Sequence, residues 1–272
     1  MTTRRFGRTG VDIPVIGLGT WHTFDVRGPE IELTRHDVAS AAFDAGMRLF
    51  DSSPMYGEAE RVLGDALRSY RADCFVATKI WTKNGSLDAE KQIEDGLRFF
   101  GGSIDLLQVH NLNDTPYVLR RIDELRDEGK VSFAGITHWE PQHFPEMMRI
   151  MRTGRVDAIQ IPYNVRQQDA AEAILPLAAD LDIGVIVMEP LGTGSLSKLP
   201  VPSSEIEVFR DFGCGSWAEV LLKWILSDER VQVVIPATSS IEHAQQDARA
   251  GDGRLFDEEH RSRVERLMKH YS

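Results

Sequence analysis

Asp51, Tyr56, Lys79 and His110 are the residues of this chain whose types and placement suit acid–base chemistry. Each stands where an apolar run gives way to polar residues. Asp51 follows LF, with Tyr56 five residues on; Lys79 follows CFVAT and His110 follows IDLLQV. A free tyrosine has a pKa of about 10, so alone it neither gives nor takes a proton readily at neutral pH. A neighbouring ammonium favours the phenolate and lowers that value. Asp51 would keep Lys79 charged and oriented, and His110 would share a proton with Tyr56 or hydrogen-bond a substrate oxygen. Such a group suits proton delivery to a carbonyl oxygen while a hydride reaches its carbon. Each member also has a plain structural role open to it. Asp51 can cap a helix, Lys79 can snorkel at a strand end, His110 can be a satisfied rim histidine, and Tyr56 can pack. The joint reading is favoured because all four fall at successive strand ends. Glu58 fits the first turn of a helix, where the dipole favours a carboxylate.

The elements that must position these residues follow a repeat. Residues 4–9 and 11–14 form two short strands around the turn Arg8-Thr9-Gly10, a hairpin able to plug one end of a barrel. Apolar runs at 15–19, 47–50, 74–78, 104–109, 131–136, 156–161, 184–188 and 231–235 read as strands buried on both faces. Helical patterns follow at 34–46, 57–70, 88–100, 115–129, 141–152, 169–181, 216–227 and 240–250. Thr34 is the expected cap of the first and Gly46 its stop. Residues 192–214 read as a long loop, and 256–271 as an extra amphipathic terminal helix. Eight strand–helix units predict a (β/α)8 TIM barrel with an N-terminal β-hairpin and an extra C-terminal helix, in one domain over 1–272. A doubly wound open sheet is the competitor. Gly17-Leu18-Gly19 runs on into Thr20 and Trp21, with no third glycine at the spacing a dinucleotide fingerprint needs.

Composition narrows the partners. A formal net charge of −11 over 272 residues disfavours nucleic acid and anionic membranes. Cys74 and Cys214 provide neither a disulfide framework nor a metal-ligand pattern, so no metal is expected and the compartment reads as reducing. Arg4-Arg5 is not followed by the apolar segment that an export signal requires. A cytoplasmic monomer acting on a small molecule is the expectation.

Beyond these residues the chain resembles the aldo-keto reductase family along nearly its whole length. GLGTW, FDSSPMYGEAERVLGDAL, VATKIW, DLLQVH, EGKVSFAGITHW, DAIQIPYN, MEPLGTGSL and VVIPATSSIEHAQQD occur in the family's order. The second block is similar to the family's D-x-A-x-x-Y-G pattern. The resemblance implies a barrel that binds an extended nicotinamide cofactor without a Rossmann domain. It implies the tetrad Asp51, Tyr56, Lys79 and His110, with Tyr56 as general acid in reduction.

The resemblance also maps the cofactor. Gly19, Thr20, Trp21 and Asp51 would lie near the nicotinamide ribose, and Thr137, His138 and Gln160 near the carboxamide. Thr137-His138 stands where the family commonly has Ser-Asn. Met188 stands where many members stack an aromatic ring. Pro190, Leu191, Gly192, Thr193, Gly194 and Leu196 resemble the loop that wraps the pyrophosphate, and glycines there let backbone N–H groups approach phosphate. Taken alone, the same loop reads as an ordinary connector. Thr238, Ser239, His243, Gln246 and Asp247 match the adenosine end, at a helix start suited to phosphate. NADPH is the family's usual cofactor. Its usual Lys and Arg anchors for the 2′-phosphate are Ala237 and His243 here, which opens the site to NADH. Asp247 falls where Asn is common, and would accept from adenine or repel a phosphate.

Trp21, Trp81 and Trp139 each follow a strand end and can line a mouth around Tyr56 and His110, or simply pack the rim. A brief loop after His110 and a terminal helix ending at Ser272 predict an open, shallow pocket for small aldehydes or ketones. Two other functions use the same residues. A Schiff-base lyase would use Lys79 as nucleophile, though a charged Asp51 opposes the neutral amine it needs. A cofactor-binding redox sensor or accessory subunit would bind without turnover.

Overall fold

The computed structural model describes residues 1–82 and 86–272. The hairpin comes first. β1 (Thr3–Arg5) and β2 (Asp12–Pro14) pair antiparallel across a 3-10 turn at Gly7–Thr9. Among the described residues, eight strands then run parallel in sequence order: β3 (Leu18–Gly19), β4 (Leu49–Asp51), β5 (Phe75–Ile80), β6 (Ile104–His110), β7 (Val131–Thr137), β8 (Ala158–Pro162), β9 (Gly184–Met188) and β10 (Val233–Val234). Bridges from Ile16 to Val234 and from Gly19 to Ala237 join the first strand to the last, which curls the sheet into a cylinder. The strand segments are almost wholly buried because helices cover the outside.

Those helices are α1 (Pro29–Asp44), α2 (Ala59–Leu67), α3 (Ser86–Phe99), α4 (Thr115–Asp127), α5 (Phe144–Met151), α6 (Ile174–Asp180), a short α7 (Ser203–Ile206), α8 (Trp217–Leu226), α9 (Ile241–Arg249) and α10 (Glu258–Tyr271). The architecture is the expected (β/α)8 fold with its hairpin and terminal helix. The ends of elements differ in places. α1 starts at Pro29, so Thr34 is not its cap; Thr34 lies one turn inside and donates to the Ile31 carbonyl at 2.7 Å. Pro29 fits the first turn, where no N–H is needed, and the Glu32 carboxylate accepts from Gly28 N at 3.1 Å. Residues 192–214 are more than a loop. They carry α7 and a 3-10 turn at Glu207–Phe212, and bury Leu196 and Phe209 completely.

α8 shows how local sequence sets an element. Ser216 accepts from Glu219 N at 3.2 Å, while Glu219 accepts from Gly215 N at 2.8 Å. This reciprocal cap satisfies two amides at the helix start.

The hairpin closes the end of the cylinder where the strands begin. Phe6 and Ile13 are buried against Leu49, Phe75, Leu106 and Ile186. A Cβ on Gly184 would meet the Phe6 ring at 2.6 Å, so a glycine is what admits the ring to the first residue of β9. With that end plugged, a ligand has access only where the strands finish, the end that carries the sites of such barrels. Register does the rest. Gly19 lies beside Asp51, Lys79 beside Gln108, His110 beside Thr137, and Thr137 beside Gln160.

Candidate active site

The cavity at that open end is about 1030 Å³, and Asp51, Tyr56, Lys79 and His110 all line it. Lys79 projects from β5 and is buried with all three ammonium hydrogens engaged. It donates to Asp51 Oδ1 at 2.9 Å, Asp51 Oδ2 at 2.7 Å and the Ser52 carbonyl at 2.8 Å. Burial works against its charge. The Asp51 carboxylate nonetheless holds its pKa above the ordinary lysine value, with help from Tyr56 and Glu60. Lys79 is therefore a fixed cation.

Two amides complete the surroundings of Asp51. Gln160 Nε2 donates to Oδ2 at 3.2 Å and Gln108 Nε2 lies 3.5 Å from Oδ1; Gln108 also donates to Gln160 Oε1 at 3.0 Å. Gln160 was expected at the carboxamide. It lines the cavity, but its amide is committed to Asp51. The sequence reading missed Gln108, although it sits two residues before His110 on β6 and so shares its inward face. Gly135 makes room for it, since a Cβ there would come within 2.8 Å of Gln108 Cγ.

Tyr56 stands at the end of a 3-10 turn, Pro54–Tyr56, whose cap is Ser53. Lys79 Nζ lies 5.3 Å from the Tyr56 ring centroid. His110 meets the same ring edge-on, with centroids 6.1 Å apart at 89°. The expected lowering of the Tyr56 pKa is reversed in direction. Burial disfavours the phenolate more than the Lys79 charge favours it, and Asp51 and Glu189 add repulsion, so the phenol sits above its ordinary value. Tyr56 is a protonated donor at neutral pH. His110 is held down to about 3, first by burial and then by the charge of Lys79 and by His138. It is a neutral imidazole across the physiological range.

Most residues expected along the cofactor line the cavity: Gly19, Thr20, Trp21, Thr137, Met188, Pro190, Leu191, Thr193, Gly194, Thr238, His243, Gln246 and Asp247. Four do not. His138 is turned aside, its ring stacked on His143 at 3.8 Å and its Nδ1 accepting from Glu140 N at 3.0 Å. Leu196 is buried and its carbonyl takes the Trp217 indole N–H at 3.1 Å. Gly192 and the exposed Ser239 also lie outside the lining. His138, Glu140 and His143 bring ligand atoms within 4.8 Å of one another. The planes of the two stacked imidazoles are 26° apart, and His138 Nδ1 already accepts from the Glu140 amide.

The 189–196 loop departs from expectation in its amides. Gly192, Gly194, Ser195 and Leu196 N–H groups donate to carbonyls of Glu189, Leu191, Gly192 and Leu191. They are spent inside the loop rather than offered to a phosphate. The cavity wall has other groups for an anion that the sequence reading did not single out. Lys198 lines it, and so do Ser216, Trp217 and Ala218 at the start of α8. A long dinucleotide fits this set: apolar walls and amides at the Tyr56 end, then a lysine and two helix starts. At the far end Asp247 is buried and its pKa is pushed up to about 7 by burial and by Glu219.

Trp21 and Trp139 stand half-exposed at the mouth with Met55, at 36%, 50% and 43% of their full exposure. Trp81 does not line the cavity. Gln92 holds its backbone, accepting from Trp81 N at 2.8 Å and donating to its carbonyl at 2.8 Å.

At the open end of this closed parallel barrel, a protonated phenol and a neutral imidazole beside a buried Lys–Asp pair can exchange a proton or a hydrogen bond with a bound ligand. Residues 15–269 match the model of the aldo/keto reductase family. The chain belongs to that family. It is 26% identical to methylglyoxal reductase YeaE of Escherichia coli, over 88% of this chain and 85% of that protein. It is 30% identical to an aldo-keto reductase of Mycolicibacterium smegmatis, over 84% of this chain and 80% of that one. A crystal structure of an aldo/keto reductase from Klebsiella pneumoniae in complex with NADP and acetate superposes with a TM-score of 0.83, at 25% identity, covering 99% of this chain and 95% of the other. No helix among the described residues is long and apolar enough to cross a membrane.

Proposed function

We propose that this protein reduces small aldehydes or ketones to alcohols, with NADPH as hydride source and Tyr56 as the general acid. The observation that carries this reading is the meeting of a protonated Tyr56, a neutral His110 and a permanently charged Lys79 on one cavity wall. The bound nicotinamide supplies the hydride. Tyr56 holds the proton that the developing alkoxide needs, and Lys79 offsets the charge left on the phenol oxygen. His110 donates a hydrogen bond to the same substrate oxygen. Asp51 keeps the ammonium in place without touching substrate. Because that ammonium is fully paired with Asp51, Lys79 is unsuited to be a Schiff-base nucleophile.

NADPH is favoured by the cofactors of the structural relative and by Lys198 on the cavity wall; Ala237, His243 and Asp247 weaken any 2′-phosphate site and keep NADH in play. The half-exposed Trp21, Met55 and Trp139 support an open mouth and broad recognition, with KM toward about 1 mM. The test has two parts. Tryptophan fluorescence titrations with NADPH and NADH identify the tighter cofactor, and a panel of small carbonyls is then screened with it. Tyr56→Phe is expected to lower kcat by about 10²–10⁴, the span of general acid catalysis, with cofactor affinity nearly unchanged. Near-wild-type turnover in that variant would remove Tyr56 from its role.

A further inference from the structure

Ser53 occupies the third position of the D-x-A-x-x-Y-G pattern, where the pattern has alanine. It is fully buried, and its Oγ lies 3.0 Å from His110 Nδ1. The same oxygen caps the Pro54–Tyr56 turn by accepting from Met55 N at 3.3 Å. One hydroxyl thus links the turn that carries Tyr56 to the ring of His110.

A serine hydroxyl has one proton to give. With the Met55 amide already donating to Oγ, two arrangements remain. Either Ser53 donates to an unprotonated Nδ1, or it also accepts from a protonated Nδ1. The second leaves the hydroxyl hydrogen without an acceptor among the described residues, inside a fully buried site, where an unmet donor is costly. The first satisfies the hydroxyl, the Met55 amide and Nδ1 together. It also decides the rest of the ring, because in a neutral imidazole an unprotonated Nδ1 places the hydrogen on Nε2.

We propose that Ser53 is a positioning residue: it locks His110 in the Nε2–H tautomer, so that the imidazole enters the cavity as a hydrogen-bond donor. This rests on the carbonyl-reductase reading for its catalytic consequence, but the tautomer itself does not. A donor at Nε2 suits a carbonyl oxygen that gains negative charge. The other tautomer would present a lone pair to that oxygen and repel it. Ser53 thereby orients two groups at once, His110 directly and Tyr56 through the cap of its turn.

The experiment uses the full chain with nitrogen-15 histidine. Long-range proton–nitrogen spectra identify the His110 ring by its loss in His110→Gln. Wild type is expected to show a single Nε2–H form, and Ser53→Ala a mixture with Nδ1–H. Ser53→Ala is expected to lower kcat about tenfold, with the KM for the carbonyl and the cofactor affinity little changed. Ser53→Thr, which keeps the hydroxyl, is expected to restore both the spectrum and kcat. An Nδ1–H form in wild type overturns the proposal, even if Ser53→Ala fails to fold. So does a Ser53→Ala spectrum identical to wild type, or a shifted tautomer with unchanged kcat. A Ser53-dependent Nε2–H form in a protein that reduces no carbonyl overturns the reductase reading and upholds the tautomer lock.

Discussion

Glu60 offers a clean test of how burial sets the electrostatics beneath the site. It lies in the first turn of α2, buried, with Thr78 Oγ1 donating to its Oε1 at 2.5 Å. Burial pushes its pKa up to about 7 against the bond from Thr78 and the charge of Lys79, and repulsion from Asp95 and Asp51 adds to the shift. A carboxyl whose folded pKa exceeds its unfolded value binds more protons when folded. Its contribution is present in full below about pH 4.5 and is lost as pH rises through about 7. With those two values, wild type loses roughly 2–3 kcal/mol between pH 5 and pH 8 through this residue. Glu60→Gln cannot titrate and does not incur that loss. His110 contributes with the opposite sign, since a buried neutral histidine stabilises less as pH falls below about 6.5. It is unchanged in the variant and cancels in the difference between the two proteins.

The assay is urea denaturation of both proteins at pH 5 and pH 8. With an m-value of about 3 kcal/mol/M, the midpoint of Glu60→Gln should gain about 1 M on wild type in going from pH 5 to pH 8. The change in the difference is the readout, because an amide in that pocket also alters stability by a pH-independent amount. A difference that stays constant from pH 5 to pH 8 would show that Glu60 is not desolvated in the way its surroundings imply.

The remaining predictions concern the ion pair and the far end of the cavity. Lys79→Met should abolish most turnover and cost about 3–5 kcal/mol of stability at pH 7, because it strands the Asp51 carboxylate without a cation. Adding Asp51→Asn should recover more than half of that cost; a loss below 1 kcal/mol for Lys79→Met by urea denaturation would count against the buried pair. Asp247 passes from neutral to charged as pH rises through about 7. NADPH affinity, measured by tryptophan quenching, should therefore weaken about tenfold from pH 6 to pH 8, or 1.4 kcal/mol of repulsion, and stay flat in Asp247→Asn. Equal pH dependence in both proteins would place Asp247 away from the phosphates.

Much of this fold could be read in advance because its cause is local. Gly129 closes α4, the helix over 216–227 is marked by its apolar face, and continuous apolar runs mark strands hidden on both faces. Where the reading slipped, a weaker local signal had been passed over. Pro29 opens α1 five residues before Thr34, which looked the better cap. The 192–214 segment lacks a long helical period, yet Leu196 and Phe209 anchor it through tertiary packing that no window of sequence reveals.

The site divides in the same way. That Asp51, Tyr56, Lys79 and His110 share a wall follows from strand order alone, since neighbouring strand ends are neighbours in space. Their charge states do not, because charge depends on how much water is removed. Counting partners made Lys79 the dominant influence on Tyr56, whereas burial outweighs it and leaves the phenol protonated. A phenol that keeps its proton favours the reductive direction proposed above. A phenolate would have been a base, suited to pulling a proton from an alcohol. A protonated phenol beside a fixed ammonium gives its proton most readily once negative charge appears on a bound oxygen, when the same low-dielectric wall that raised its pKa makes the attraction of that charge strong. With Tyr56 as the general acid proposed above, the desolvation that opposes ionisation in the resting site would also make its proton transfer respond to hydride arrival, a coupling available only to a donor still holding its proton.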